Sequence, residues 1–237
     1  MSKLAETTSS QTLFTFTPEL AFLVDMLKSG IKARYSFESL PYGNRHYSAP
    51  MKCFCDIPLS KAKKHMDWFG DYGLGIKKGY LMGFGVTPVL YVHKQSSKDF
   101  LKTFTIGNER SKVIGLMKSY KGNVYREDEG IIKRFMRSFY DEREWRYIPK
   151  DGHITVLKNG SIKKGWLEHK DRNMQEPYLG NTIPLEPDAI EYIIVKNKTD
   201  IGPLRVALRE LYKDRDTFEF SLTKIVLSTK IKSGLAI

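Results

Sequence analysis

Hydrophobic and polar positions alternate in short blocks along the chain and predict a mixture of strands and helices. The apolar run Leu13–Phe16 predicts a strand. It leads into a helix whose leucines recur at helical spacing and which ends at Gly30. In this helix Thr17 is the expected N-cap and Pro18 the first helical residue. A strand that runs directly into a capped helix is a common floor for a binding pocket.

The same patterns continue through the rest of the sequence. Strands are predicted at Lys52–Ile57, Tyr72–Ile76, Pro88–His93, Phe139–Pro149 and Ala189–Lys196. Helices are predicted after Ser60, across residues 96–121 and from Pro203. Residues 31–50 are predicted as a binding loop or lid, 150–187 as hairpins and loops, and Phe218–Leu227 as extended chain.

The irregular alternation of strands and helices favours an α+β fold over a doubly wound sheet. We therefore predict a single domain over residues 13–237, with a mixed or antiparallel sheet and flanking helices. The polar residues 1–12 are expected to be disordered. Since 41% of the 237 residues are hydrophobic and 12% aromatic, the chain has enough apolar material for a core.

Charge and targeting patterns indicate where the protein resides and what kind of partner it attracts. No run approaches the roughly 18 apolar residues that a membrane helix needs, and the N-terminus lacks an apolar leader, so a cytoplasmic protein is expected. The net charge of +12 predicts attraction to a polyanion, either nucleic acid or an acidic protein partner. A generally basic surface with weak affinity for polyanions explains the charge equally well.

Metal and nucleophile chemistry finds no support in the sequence. Cys53 and Cys55 are the two cysteines, and on a strand their side chains point to opposite faces, which disfavours a disulfide. No histidine or cysteine pair has the spacing of zinc ligands, so no metal site is expected. Ser60 does not lie in a nucleophile-elbow pattern.

The segment FYDEREWRYIP is the strongest candidate for chemistry. If it is a strand, Glu142 and Glu144 lie on one face, where two close carboxylates repel and one pKa rises. Such a pair suits a site that stabilises positive charge or moves a proton, with Arg143 and Arg146 near enough to balance it. Composition alone favours the other interpretation, a solvated edge strand joined by salt bridges.

Two further segments give weaker signals. Asp56 ends a strand just before Pro58, where it contributes either to a pocket or to an ordinary cap or turn. The segment DYGLGI, which begins just before Tyr72, contains Gly73 and Gly75, which permit close approach of the backbone. Its glycine spacing matches neither a dinucleotide fingerprint nor a P-loop.

Several of these segments together resemble one family. The runs LFTFTPELAFLVDMLKSGIKARYSFE, PMKCFCDIPLSKAKKHMDWFGDYGLGIKKGYLMGFGVTPVLYV, FYDEREWRYIP and PDAIEYIIVKN look like the AbiGi abortive-infection family, over roughly Leu13 to Leu211. The ordered set of CDIPL, YGLG and YDEREWR carries the likeness. The resemblance implies a role in bacterial defence against phage, in a family labelled as an antitoxin.

The layout also resembles, more distantly, ADP-ribosyltransferases, which close with a strand bearing a Glu-x-Glu pair. That resemblance implies NAD as cofactor: Glu144 would hold the ribose hydroxyl and stabilise the oxocarbenium-like state, and Glu142 would orient the acceptor. It also implies the NAD contacts Thr15, Thr17, Asp56, Tyr72 and Arg146. Thr15 stands where relatives tend to have histidine, which changes one NAD contact.

Two main hypotheses follow. In the first, the chain is an ADP-ribosyltransferase-like effector that uses NAD to modify nucleic acid or protein during infection. In the second, it is a catalytically inactive antitoxin or sensor that binds a toxin or a phage component. A nucleic-acid-binding protein without catalysis rests on charge alone, because no helix-turn-helix, zinc-finger or RRM signature occurs.

Overall fold

The computed structural model describes residues 10–39, 46–93, 111–128, 131–152, 154–157 and 178–234. Its strands are β1 (Thr12–Thr17), β2 (Arg34–Ser39), β3 (His46–Cys55), β4 (Tyr72–Lys77), β5 (Thr87–Pro88), β6 (Leu90–Val92), β7 (Met117–Ser119), β8 (Lys121–Asp128), β9 (Ile131–Ser138), β10 (Glu144–Tyr147), β11 (Thr155–Leu157), β12 (Ile190–Val195) and β13 (Ile225–Leu227). Its α-helices are α1 (Leu20–Ser29), α2 (Lys63–Phe69), α3 (Lys78–Gly83), α4 (Ser111–Gly115), α5 (Ile201–Leu211), α6 (Arg215–Leu222) and α7 (Ser228–Lys232). Strand pairing is mostly antiparallel, so the predicted α+β class is confirmed.

The chain divides into two compact units that interleave in sequence. Unit 1 contains Met1–Lys32, Cys53–Val86 and Thr182–Ile237, and unit 2 contains Ala33–Lys52 and Thr87–Asn181. Strand β3 begins in unit 2 and ends in unit 1. The single domain over residues 13–237 stays a prediction.

Unit 1 is built on a sheet with the strand order β13-β12-β4-β1 and the end of β3 beyond β1. Only the β12–β13 pair in this order is parallel. Gly73 on β4 shows why the strand needs glycine, since a Cβ there would lie 2.5 Å from the carbonyl oxygen of Thr15. The close backbone approach predicted from the glycines is therefore confirmed, and it is an approach to the neighbouring strand β1.

The start of α1 differs from the prediction. Thr17 is the last residue of β1 and pairs with Tyr72, and the N-cap of α1 is Glu19. Pro18 lies between strand and helix and is not the first helical residue. Pairing with β4 keeps Thr17 extended, which overrides its preference for a cap position. The predicted end is confirmed, since Gly30 closes the helix with φ +77°.

Unit 2 begins with a hairpin where the sequence predicted a loop or lid. β2 and β3 pair antiparallel from Arg34 opposite Met51 to Ser39 opposite His46, so the loop predicted over residues 31–50 is wrong for residues 34–39 and 46–50. Turn-forming residues at 41–45 concealed the pattern, although Tyr47 and Ala49 are fully buried. Residues 40–45 themselves lie outside the described residues.

Unit 2 also contains three shorter pairs: β11 lies beside β3, β5 pairs with β10, and β6 pairs with β7 in parallel. Strands β8 and β9 form a separate hairpin with eight paired positions. The predicted strand Pro88–His93 is two short strands, β5 and β6. Of the predicted helix over 96–121, residues 96–110 lie outside the described residues, and in the described part only α4 is helical before β7 begins.

Two other predictions concern the ends of the chain. Phe218–Leu227 is not extended: α6 runs from Arg215 to Leu222 because Asp214 caps it, accepting a hydrogen bond from the Thr217 amide at 2.7 Å. Only Ile225–Leu227 is a strand. Of the twelve residues predicted to be disordered, residues 1–9 lie outside the described residues, and Thr12 already begins β1.

Candidate functional site

The segment that carries the carboxylate pair is not one continuous strand. Phe139–Glu142 forms a turn of 3-10 helix, Arg143 adopts a left-handed conformation with φ +44°, and β10 begins at Glu144. The predicted strand Phe139–Pro149 is therefore wrong before Glu144. The alternation that placed Glu142 and Glu144 on one strand face does not apply, yet tertiary structure brings their carboxylates together.

Lys118 on β7 is the group on which both carboxylates converge. Its Nζ lies 2.7 Å from Oε2 of Glu142 and also donates a hydrogen bond to Oε2 of Glu144. Oε1 of Glu38, on β2, is 4.0 Å away. The same ammonium lies 4.8 Å from the centroid of the Phe139 ring. Three segments that are distant in sequence, β2, β7 and residues 139–144, thus meet at one buried cation.

Arg146 on β10 forms the second centre of the cluster and is completely buried. Its Nε donates to Oε1 of Glu144 at 2.6 Å, and its Nη2 donates to Oε1 of Glu38 at 3.0 Å. Its Nη1 donates to the hydroxyl of Tyr47 at 2.9 Å and to the carbonyl of Gly115 at 2.7 Å. All three guanidinium nitrogens are therefore engaged with protein oxygens.

The positive and negative charges of this cluster are equal in number. Arg137 completes the set, with its Nε 3.1 Å from Oε1 of Glu142. Three carboxylates then face three cations, and each oxygen of Glu142 and Glu144 has a cationic partner. Since Glu142 and Glu144 are each only 5% exposed, the interpretation as a solvated edge strand is wrong, although its salt bridges are present. We call Glu38, Lys118, Arg137, Glu142, Glu144 and Arg146 the ion-pair cluster.

Burial and the neighbouring charges shift the pKa values within this cluster. Burial raises the pKa of Glu142, although the positive charge of Lys118 opposes the rise. The rise predicted for one member of the carboxylate pair is present, but burial contributes more to it than repulsion by Glu144. For Lys118, burial by itself lowers the pKa, but Glu144, Glu38 and Glu142 outweigh it and raise the pKa well above its ordinary value.

Two tyrosines form hydrogen bonds with members of the cluster. Tyr91 on β6 accepts a hydrogen bond from the amide of Glu144 at 2.7 Å, and burial raises the pKa of this phenol. Burial likewise raises the pKa of Tyr47, although the nearby Arg146 opposes the shift. Both phenols stay neutral and serve as hydrogen-bonding groups that hold β10 in place.

The predicted site residues divide between the two units. Glu142, Glu144 and Arg146 are brought together in unit 2. The remaining four, Thr15, Thr17, Asp56 and Tyr72, belong to unit 1.

The four residues of unit 1 lie in or beside its sheet. Thr15 and Thr17 are buried on β1. Asp56 is also buried, and its Oδ2 accepts from Nζ of Lys78 at 2.8 Å. Tyr72 is half-buried at the start of β4 and donates from its hydroxyl to Asp200 at 3.3 Å.

As they lie, these residues do not present NAD with ready contacts. Arg146 uses its donors on protein oxygens, Asp56 forms an ion pair with Lys78, and Thr15 is inside the sheet. NAD binding by Glu144 and the five predicted NAD contacts therefore stays a prediction, and it would require rearrangement of these contacts.

Lys118, Glu38, Arg137 and Tyr47 were not among the predicted site residues. Lys118 lies 24 positions before Glu142, in a segment predicted to be helical, while Glu38 and Tyr47 lie in the predicted loop. A lysine between Met117 and Ser119 on a short strand resembles any surface lysine in sequence. The only signal was indirect, because two carboxylates that become buried together require cations from elsewhere.

Three other features of the described residues bear on the kind of site they can form. No group of three histidine, cysteine or acidic side chains there is arranged to hold a metal ion. None of the helices in the described ranges is both long and apolar enough to cross a membrane. Cys53 is half-buried and Cys55 buried, and they are not joined in a disulfide.

A family of phage-resistance proteins matches this α+β chain. Residues 44–196, more than half of the chain, match a family of phage-resistance proteins described as "Putative abortive phage resistance protein AbiGi, antitoxin". The chain therefore belongs to the AbiGi family, as the resemblance predicted. The matched range includes the carboxylate pair but neither Thr15 nor Thr17, and it is narrower than the span predicted from Leu13 to Leu211.

A named relative supports the same family. The abortive phage resistance protein AbiGi of Lactococcus lactis subsp. cremoris is 24% identical over 165 residues, which cover 55% of this chain. The match spans 62% of that relative's length, so somewhat less than two thirds of it corresponds to this chain. No solved structure matches the chain, and the likeness to ADP-ribosyltransferases stays a prediction.

Proposed function

We propose that this chain takes part in phage resistance as an antitoxin-type binding protein, with the ion-pair cluster in a structural role. The description of the AbiGi family and the name of the lactococcal relative support the biological setting. The observation that carries the proposal is that both oxygens of Glu142 and of Glu144 already have a lysine or arginine partner.

Electrostatics favours this structural role over catalysis. A site that stabilises developing positive charge needs an uncompensated negative potential directed at the reacting atom. Here Lys118 lies between the two carboxylates, and the three negative charges of the cluster are matched by three positive ones. A substrate cation would have to compete with the ammonium of Lys118, which the fold already holds between the two carboxylates.

The structural role itself has a clear physical basis. The ion pairs join β2 through Glu38, β7 through Lys118 and β10 through Glu144 and Arg146. They also hold the 3-10 turn that ends at Glu142. Removing one partner of such a buried pair is strongly destabilising, so the cluster fixes the relative positions of these segments within unit 2.

Expression in bacteria tests the proposal. Wild-type protein induced alone is expected to leave viability unchanged, and co-expression with its partner toxin is expected to rescue the cells. Glu144→Gln, which keeps the side-chain shape, is expected to rescue as well as wild type once circular dichroism shows that it is folded. Toxicity of the wild type alone that disappears in Glu144→Gln would contradict the proposal.

A second candidate function is an ADP-ribosyltransferase-like effector, which the convergence of Glu142 and Glu144 favours. In this proposal Glu144 binds the ribose hydroxyl of NAD and Glu142 orients an acceptor on nucleic acid or protein. Lys118 would first have to release Glu144, because the two groups are in direct contact. The NAD contacts would come from Thr15, Thr17, Asp56, Tyr72 and Arg146, as the resemblance implies.

Labelled NAD separates this candidate from the first. Purified protein is incubated with labelled NAD and cell extract, and both label transfer and NAD hydrolysis are measured. Transfer that is lost in Glu144→Gln but kept in Glu210→Gln, a change at an exposed ion pair, supports the enzyme. If the wild type, like Glu144→Gln, shows neither label transfer nor NAD hydrolysis, the ADP-ribosyltransferase-like function is contradicted.

A further inference from the structure

Three tyrosines form a contiguous group in unit 2, beside the ion-pair cluster. The rings of Tyr120 and Tyr140 are stacked, with centroids 5.3 Å apart and an interplanar angle of 27°. The ring of Tyr91 meets Tyr140 edge-on, also at 5.3 Å between centroids. We call Tyr91, Tyr120 and Tyr140 the tyrosine cluster. Its outer members are accessible, since Tyr120 is 37% and Tyr140 54% exposed.

Backbone hydrogen bonds hold the outer rings in place. The carbonyl oxygen of Tyr120 accepts from the amides of Phe139 and Tyr140, at 2.9 Å and 3.4 Å. The amide of Tyr120 in turn donates to the carbonyl of Val92 at 3.0 Å. The stacked pair is therefore preorganised, and a ligand that binds to it need not order these segments first.

Positive charge accompanies the exposed rings. Nζ of Lys121 lies 6.0 Å from the centroid of the Tyr120 ring. Arg143 is exposed, and its amide donates to the carbonyl of Tyr140 at 3.2 Å. Its φ of +44° is the only positive φ of a non-glycine residue among the described residues. This conformation fixes an arginine close in sequence and space to the backbone of Tyr140.

The net charge of the chain is concentrated in the same unit. The sequence ranges of unit 2 contain 22 lysines and arginines against 13 aspartates and glutamates. Those of unit 1 contain 17 against 14. Since the ion-pair cluster is neutral, the excess of unit 2 belongs to its other residues. A polyanion is therefore attracted mainly to the unit that carries the tyrosine cluster.

We propose that the tyrosine cluster binds single-stranded nucleic acid by stacking a base on Tyr140, with Lys121 and Arg143 near the phosphates. Exposed aromatic rings combined with cations are the chemistry of single-strand binding, because every base offers a flat face. Bases in a duplex are already stacked, and an acidic peptide offers charge without flat rings. This site does not depend on the antitoxin role and does not use the ion-pair cluster as a catalyst.

Fluorescence anisotropy of the full chain tests the site. The probes are labelled oligouridylate and oligothymidylate of roughly 12 nucleotides, a length within the usual range of single-strand sites. We expect both strands to bind, with an affinity that falls as salt concentration rises. We expect Tyr140→Ala to bind roughly 5- to 150-fold more weakly, the loss that follows removal of one stacked base. Tyr140→Phe, which keeps the ring, is expected to bind like the wild type.

Matched controls make the result decisive. Phe220 in unit 1 is also an exposed ring with a lysine over it, Nζ of Lys224 lying 3.9 Å from its centroid. We therefore expect Phe220→Ala to bind like the wild type. Tyr140→Leu keeps apolar volume without a flat ring and is expected to lose affinity even if Tyr140→Ala fails to fold.

Four outcomes would overturn the proposal. The first is that neither oligonucleotide binds, and the second is that Tyr140→Leu binds as tightly as the wild type. The third is that Phe220→Ala loses as much affinity as Tyr140→Ala, and the fourth is full competition by polyglutamate at matched charge. The last would identify the surface as a site for acidic protein. A preference for oligouridylate over oligothymidylate would support the proposal and assign RNA as the ligand.

Discussion

Replacement of Lys118 by methionine tests the structural role of the ion-pair cluster most directly. Methionine keeps an unbranched chain of similar length but removes the cation that contacts Glu142 and Glu144. The two carboxylates would then stay buried beside each other with one partner fewer. Removing one partner from a buried ion pair costs about 3–5 kcal/mol, so we expect Lys118→Met to lose stability on this scale near neutral pH.

The loss should depend on pH, and the sign follows from Glu142. Burial raises its pKa in the folded protein above the ordinary value of 4.5, and Lys118 opposes that rise. Without Lys118 the folded-state pKa rises further. The folded protein then binds a proton that the unfolded chain has released, so stability falls as pH rises through this window. The deficit of Lys118→Met should therefore be larger at about pH 7.5 than at about pH 5.

Urea unfolding followed by tryptophan fluorescence measures this deficit at both pH values. Lys28→Met is the matched control, because Lys28 forms an exposed ion pair with Glu210 at 2.8 Å. Exposed pairs contribute little, and we expect this variant to unfold like the wild type. A Lys118→Met deficit under about 1 kcal/mol near neutral pH, or one that does not change with pH, would refute the reasoning.

The remaining predictions concern the backbone and a helix cap. Gly70→Ala is expected to cost at least about 2 kcal/mol in urea unfolding, because φ is +117° and a Cβ would lie 2.2 Å from the carbonyl oxygen of Thr17. Gly79→Ala in α3, where a Cβ meets nothing within 4 Å, is expected to gain up to about 1 kcal/mol, and a comparable loss in both variants would contradict this contrast. Asp214→Ala is expected to lower the melting temperature near neutral pH, because the Thr217 amide holds the pKa of Asp214 below its ordinary value. This difference should disappear as pH falls through the lowered pKa, and a melting difference that persists in acid would argue against the cap.

Local sequence patterns were sufficient where one segment decides its own structure. The apolar alternation of Leu13–Phe16 identified β1, and Gly30 identified the end of α1. The buried run around Ile193 identified β12. These predictions succeeded because backbone conformation and burial on one face follow from residues that are neighbours in sequence.

Two predictions failed for different reasons. Thr17 has the side chain of a helix cap, but pairing with Tyr72 keeps it in β1, and no local pattern identifies a partner on a distant strand. Phe218 lies in a segment predicted to be extended, but Asp214, four residues earlier, caps a helix that begins before it. This second signal is local, and the apolar spacing used for the extended prediction did not include it.

Composition and local patterns are enough to predict that the chain is basic and α+β, that it resembles the AbiGi family, and that Glu142 and Glu144 form a carboxylate pair. The surroundings of this pair follow from the tertiary structure alone. Lys118 and Glu38 reach the pair from strands distant in sequence. The physical reason is that burial and ion pairing depend on distances in space, and these set the pKa of Glu142 and the balance of charge around it.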